Sequence, residues 1–258
     1  MCDIYNSYFG NCQAGSDGAL THSGECFKAM QIIPISTNTI FDRFYNKLTE
    51  SKNRGAVWRI VGNQIVFSRI NESFAYGNEN PLNYDAWDGY ASNKNRTLAH
   101  LYNQNISNTI FLAGDSHLSW VSDLVWLDTH PYDPKTGDGA IGVEFAGSAV
   151  SSPCPFGQNI SIHSANSYST QLVAANRELQ WQDVYYRGYY ELSVGYDSLN
   201  ASYFGLPTVG TRNGYEISLA NFTVLNGANK LSKQIFRVPH SLPGTEIHHP
   251  MRFPNSSS

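Results

Sequence analysis

Asp115 and His117 are the residues whose types and spacing best suit chemistry. They stand in Thr109–Trp120, TIFLAGDSHLSW, where a short apolar run, Ile110 to Ala113, breaks at Gly114. A carboxylate and a neutral imidazole two positions apart are donor types that a divalent or trivalent metal accepts. Polar groups just past a strand are also where α/β enzymes commonly present their sites. Gly114 is expected to supply the sharp turn that throws both side chains into one cleft. The bland alternative is a turn with a satisfied histidine. A second chemistry fits the letters Gly114-Asp115-Ser116, that of a serine esterase. It requires a histidine base held by an acid, and the late Asp-x-x-His spacing that usually supplies it is absent from the chain.

These residues need elements to position them. Ile40 to Lys52 reads as a helix, with Ile40, Phe41, Phe44, Tyr45 and Leu48 on one face. Val57 to Gly62 reads as a buried strand, followed by a second apolar run, Ile65 to Phe67. In DAWDGY, residues 85–90, Asp88 is placed to cap a helix running to about Asn103, with Tyr90, Leu98, Leu101 and Tyr102 inward. That helix leads into the strand before Gly114. Strand, helix and strand in succession predict an α/β core with a parallel pair. Beyond His117 the pattern turns β-rich, with strands expected at 142–146, 189–194 and within 214–225. The segments 1–35 and 238–258 read as irregular, and 36–237 as one domain.

Composition narrows the function classes. The 258 residues are 41% hydrophobic and 15% charged, which suits a folded chain with a real core. A net charge of −4 without a basic block argues against nucleic-acid binding. No apolar run reaches the length of a membrane span. The cysteines, Cys2, Cys12, Cys26 and Cys154, form no CxxC pair. Glycosylation sequons stand at Asn71, Asn95, Asn105, Asn159, Asn200, Asn221 and Asn255, pointing to an extracellular or secretory location, although no signal-like segment follows Met1.

Taken together, VWRIVGNQIVF at 57–67, DAWDGY with Arg96 downstream, NTIFLAGDSHLSW at 108–120, GVEFAGSAVSS at 142–152 and YRGYYEL at 186–192 resemble the C-terminal half of a PhoD-like alkaline phosphatase. ANRELQW at 175–181 and ASYFGLP at 201–207 resemble the fungal extracellular branch. The resemblance implies a metallophosphoesterase β-sandwich flanked by helices, here partial and lacking its N-terminal half. It implies hydrolysis of phosphate mono- or diesters, iron and calcium as cofactors, and Asp115 and His117 as metal ligands. Asp88, Arg96 and Asn176 become candidates for the catalytic pocket, Trp87 and Tyr90 belong more naturally to the core, and Arg187 to a structural pair with a carboxylate. The family's further ligands have no convincing copy here, Asp42-Arg43-Phe44-Tyr45 matching one spacing only by chance. The chain is therefore expected to be a fragment, an incomplete gene product or a degenerate relative with little activity alone. The alternative is a non-catalytic secreted or surface glycoprotein of the same fold.

Overall fold

The computed structural model describes residues 2–6, 36–79 and 81–232. Helix α1 (Ser36–Asn53) turns Phe41 and Leu48 into the core and half-buries Phe44 and Tyr45, the spacing of one helical face. Asp42 is exposed on that helix and Tyr45 bonds to Thr97, so the Asp-x-x-Tyr pair forms no site. Strand β2 (Trp58–Gly62) follows, then a one-turn helix α2 (Ser73–Tyr76). A 3-10 turn at Trp87–Tyr90 enters helix α3 (Ala91–Asn103), which leads to β3 (Thr109–Ala113). The remaining elements are β4 (Ser119–Leu124), β5 (Gly142–Ala146), α4 (Ile162–Ala175), β6 (Leu179–Asp183), β7 (Gly188–Val194), β8 (Ser198–Gly205) and β9 (Ile217–Leu225).

Strands β2 and β3 pair in parallel, Ile60 opposite Ile110, as the strand–helix–strand pattern requires. With β1 (Cys2–Asn6) they sit in a six-stranded sheet ordered β1-β2-β3-β5-β4-β6, and β7-β8-β9 form a second sheet. Strand β1 pairs in parallel with β2, so residues 2–6 are regular, contrary to expectation, while residues 7–35 lie outside the described residues. Edge pairing uses backbone groups and leaves little periodic signal in the side chains. The segment 238–258, and with it the expected irregular tail, lies outside the described residues.

The two sheets face each other. Ile60, Ile110, Val143 and Phe145 pack on Leu199, Ala201, Tyr203 and Phe222. The opposite face of the large sheet carries Val61 and Phe111 against Phe41, Leu98, Leu101 and Trp87 of the helical layer. The result is an α/β fold, a β-sandwich flanked by helices, in agreement with the expectation. The run Ile65–Phe67 is a buried loop without strand pairing. It is held by Glu144, whose carboxylate accepts the amides of Phe67 and Ser68, each at 2.7 Å. Tyr102 is exposed and stacks on His130, contrary to its expected inward place. No helix among the described residues is long and apolar enough to cross a membrane.

Candidate functional site

The parallel strands β3 and β5 deliver two loops to one edge of the sheet. The ladder runs one step past the strands, with the Gly147 amide bonded to the Ala113 carbonyl at 2.9 Å. On the other side the Gly114 amide donates to Gln64 O at 3.1 Å. These bonds carry the chain rigidly up to residue 114, so its change of direction falls immediately after.

The turn is made by the two functional residues themselves. Asp115 has φ 67° and His117 φ 57°, and the Ser116 amide closes back on Gly114 O at 2.8 Å. Gly114 is not among the positive-φ positions, and a Cβ there would come no closer than 3.8 Å to Gln64 O. This corrects the expectation that Gly114 supplies the conformational freedom. Two non-glycine residues in left-handed backbone at neighbouring positions are held there by their surroundings at a local energetic cost, a pattern that clusters at functional sites.

The surroundings are visible. His117 Nδ1 lies 3.0 Å from Pro153 O. A carbonyl only accepts, so Nδ1 is the donor in this bond, and in a neutral ring Nε2 is then the acceptor nitrogen, the arrangement of a metal-ligating imidazole. Ser148 Oγ donates to His117 O at 3.3 Å. Arg187 in turn fixes the loop that carries Pro153, donating to the carbonyls of Ser152 (3.0 Å) and Val184 (2.6 Å). These bonds make it a backbone clamp, while its side chain also meets Cys154 and feels the charge of the Asp183 carboxylate.

Asp115 is exposed at the mouth of the same loops. Its carboxyl is raised above the ordinary aspartate range, first by desolvation, then by the negative charge of Asp85, with His117 opposing both. Asp85 thus reaches the same neighbourhood from the DAWDGY turn. That turn is tight: a Cβ on Gly89 would lie 1.9 Å from Tyr84 O, so the position admits no side chain without rearrangement. Ser116 is tied down, accepting from Trp120 Nε1 at 2.7 Å and donating to Leu118 O at 3.3 Å. Among the described residues no imidazole is bonded to this anchored hydroxyl, so nothing there supplies the base that the esterase reading needs.

The other candidates take structural partners. Asp88 accepts the Ile70 amide at 3.2 Å and pairs with Lys94 at 2.8 Å, both side chains being nearly buried. It does not cap α3, which has no side-chain cap bond. Arg96 bonds to Asn93 and lies over the Phe41 ring, 5.6 Å from its centroid, on the helical layer. Asn176 is buried, accepting the Asn71 amide and donating to the carbonyls of Asn71 and Leu172. None of the three is bonded to the Gly114–His117 loop. Trp87 and Tyr90 are core, as expected. Asp85 and the Pro153–Arg187 support were missed as site features. Their only advance signal was the recurrence of DAWDGY, GSAVSSP and YRGYY as polar breaks after apolar runs.

As a metal site the residues present are a fitting pair and an incomplete set. An acceptor Nε2 and a carboxylate held by like charge suit a cation. Among the described residues, however, no three His, Cys, Asp or Glu side chains converge closely enough to hold one.

Comparison with known proteins bears on what the pair belongs to. The family model described as PhoD-like phosphatase matches residues 41–203. Alkaline phosphatase D of Bacillus subtilis (strain 168) is 31% identical over 163 residues, 63% of this chain and 25% of that protein. A solved structure titled "Structure of PhoD" shares the fold with a TM-score of 0.58 at 24% identity, over 83% of this chain and 36% of the other. The chain therefore spans about a quarter of the curated relative it matches.

Proposed function

The chain belongs to the PhoD-like phosphatase family, and on that premise we propose that it forms one wall of a metal-dependent centre hydrolysing phosphate mono- or diesters. The observation that carries this reading is the joint presentation of Asp115 and His117 on left-handed backbone at the end of β3, with Nδ1 of His117 bonded to Pro153 O and Nε2 without a partner among the described residues. Asp115 and His117 would hold the ions, and by family resemblance these are iron and calcium. The chemistry such ions supply when bound is polarisation of the phosphoryl oxygens and acidification of a water. Asp85 adds negative charge at the same mouth, and Pro153 with Arg187 keeps the imidazole in its Nδ1-protonated form. Asp88, Arg96 and Asn176 hold the frame in this reading. The remaining ligands lie outside the described residues, and the protein works in an extracellular or secretory setting, where its sequons would be modified.

The test is turnover of a chromogenic phosphate monoester and diester, with iron and calcium supplied. The isolated chain should show little activity. In a longer polypeptide carrying it, Asp115→Asn or His117→Ala should lower turnover by more than about 10³-fold, the loss expected when a ligand to a Lewis-acid ion is removed. Parent-like rates in both variants would overturn the assignment. The non-catalytic alternative, a secreted glycoprotein of this fold, is favoured by the lack of a third donor among the described residues. Metal content of the protein from its native source separates the two readings.

A further inference from the structure

The outer face of the β7-β8-β9 sheet carries a feature unrelated to the Asp115 loop. Strand β8 alternates cleanly: Leu199, Ala201 and Tyr203 are buried, while Asn200 is exposed and Ser202 half-exposed between them. Strand β9 buries Phe222 and Val224 and turns Asn221 and Thr223 outward. Each strand therefore shows both ends of an Asn-x-Ser/Thr sequon on one face, because residues two apart share a side of a strand. The register interlocks them. Asn200 stands opposite Thr223 and Ser202 opposite Asn221, so each asparagine faces the hydroxyl residue of the other sequon.

The side-chain bonds leave the reacting atoms available. Thr223 Oγ1 donates to Asn200 Oδ1 at 2.7 Å, which uses the amide oxygen and not its nitrogen. Among the described residues Asn200 Nδ2 has only a long contact, 3.5 Å to Ser198 Oγ. Two of the other sequons differ. Asn71 is half-buried with its oxygen on the Ser73 amide, and Thr97, the hydroxyl residue of the Asn95 sequon, is fully buried on α3. Around the sheet lie the exposed apolar residues Val194, Tyr196, Val209, Tyr215, Ile217 and Leu225. Among the described residues β7 pairs only with β8, so it presents an open edge beside them. Such an edge invites pairing with other chains unless something bulky and hydrophilic stands by it.

We propose that Asn200 and Asn221 are N-glycosylated as a pair, and that the two glycans shield this sheet face and its open edge. The proposal rests on the secretory reading above. In the transfer, Nδ2 of each asparagine bonds to the anomeric carbon of a lipid-diphosphate-linked oligosaccharide. The carbon–oxygen bond to the diphosphate breaks, its electron pair leaves with the diphosphate, and the amide nitrogen gives up one proton. The glycosylated amide keeps its oxygen, so the Thr223 bond to Asn200 survives the modification.

The test is to express the full chain behind a cleavable leader in a eukaryotic secretory host. Chain recovered from the lumen and the medium is then released from its glycans enzymatically in heavy-oxygen water and mapped by peptide mass spectrometry. Asn200 and Asn221 should both be read as aspartate carrying the heavy oxygen. Ser202→Ala should abolish the label at Asn200 alone, and Thr223→Ala the label at Asn221 alone. Unlabelled asparagine at either position in the parent chain overturns the pair. The leader forces entry to the pathway, so such a failure falls on the site. The native compartment is tested separately by fractionating source cells.

Discussion

Glu72 shows what a single buried carboxyl does to this molecule. It is nearly buried beside Asp88 and carries no ion pair among the described residues, and desolvation followed by that neighbouring charge pushes it up to about 7. A carboxyl raised on folding holds its proton more tightly in the folded state. Its stability contribution is therefore intact below the unfolded value of 4.5 and is lost as pH rises through about 7. Glu72→Gln should leave the midpoint of urea unfolding unchanged at acid pH and raise stability above neutrality by about 2–3 kcal/mol. Parallel pH profiles for the two proteins would contradict this. The residue scale also explains which site groups could be read in advance. Asp115 and His117 are chemically distinctive and follow an apolar run, so they stood out. Pro153 and Arg187 act through carbonyl oxygens 36 and 35 residues away in the chain, contacts that leave no pattern in side-chain types.

At the scale of elements, the helices and the central strands were legible because burial imposes a period on their sequences. Phe41, Phe44, Tyr45 and Leu48 mark one face of α1, and the unbroken apolar run of β3 marks a strand covered on both sides. Strand β1 was not legible because its place depends on the open edge of β2. The loop at residues 63–70 was legible as apolar but not as a loop, since its shape is imposed by Glu144 from β5. That clamp should be expensive to break. Glu144→Gln replaces one accepting oxygen by a donor facing an amide and should cost about 1–3 kcal/mol. The amides of Phe67 and Ser68 should then exchange with solvent faster, while those of β3 change little. Unchanged protection at Phe67 and Ser68 would show that the loop holds itself.

The whole molecule is a sandwich whose two sheets are tied at one end by polar residues. Asp123 in β4 is fully buried, accepting the Leu231 amide at 2.8 Å and the Tyr132 hydroxyl at 2.8 Å. It thereby joins the large sheet both to the loop before β5 and to the segment after β9. Asp123→Ala should cost about 2–4 kcal/mol, because it strands two donors in the core. The loss should appear in one cooperative transition, since both sheets share the Phe145–Tyr203–Phe222 layer. Two separate transitions would mean that the sheets fold independently.

The left-handed backbone at Asp115 and His117 has a consequence for heat resistance. Glycine would sit at position 115 without steric penalty, so Asp115→Gly should stabilise the fold by up to about 1 kcal/mol and raise the melting temperature slightly, whereas His117→Gly also forfeits the Nδ1 bond to Pro153 O and should bring no gain. Calorimetry on the two variants checks this, and a lower melting temperature for Asp115→Gly would show that its side chain stabilises the turn. A gain would mean that this chain retains, at the corner after β3, a residue that makes it melt sooner. Selection for thermal endurance alone would have replaced it.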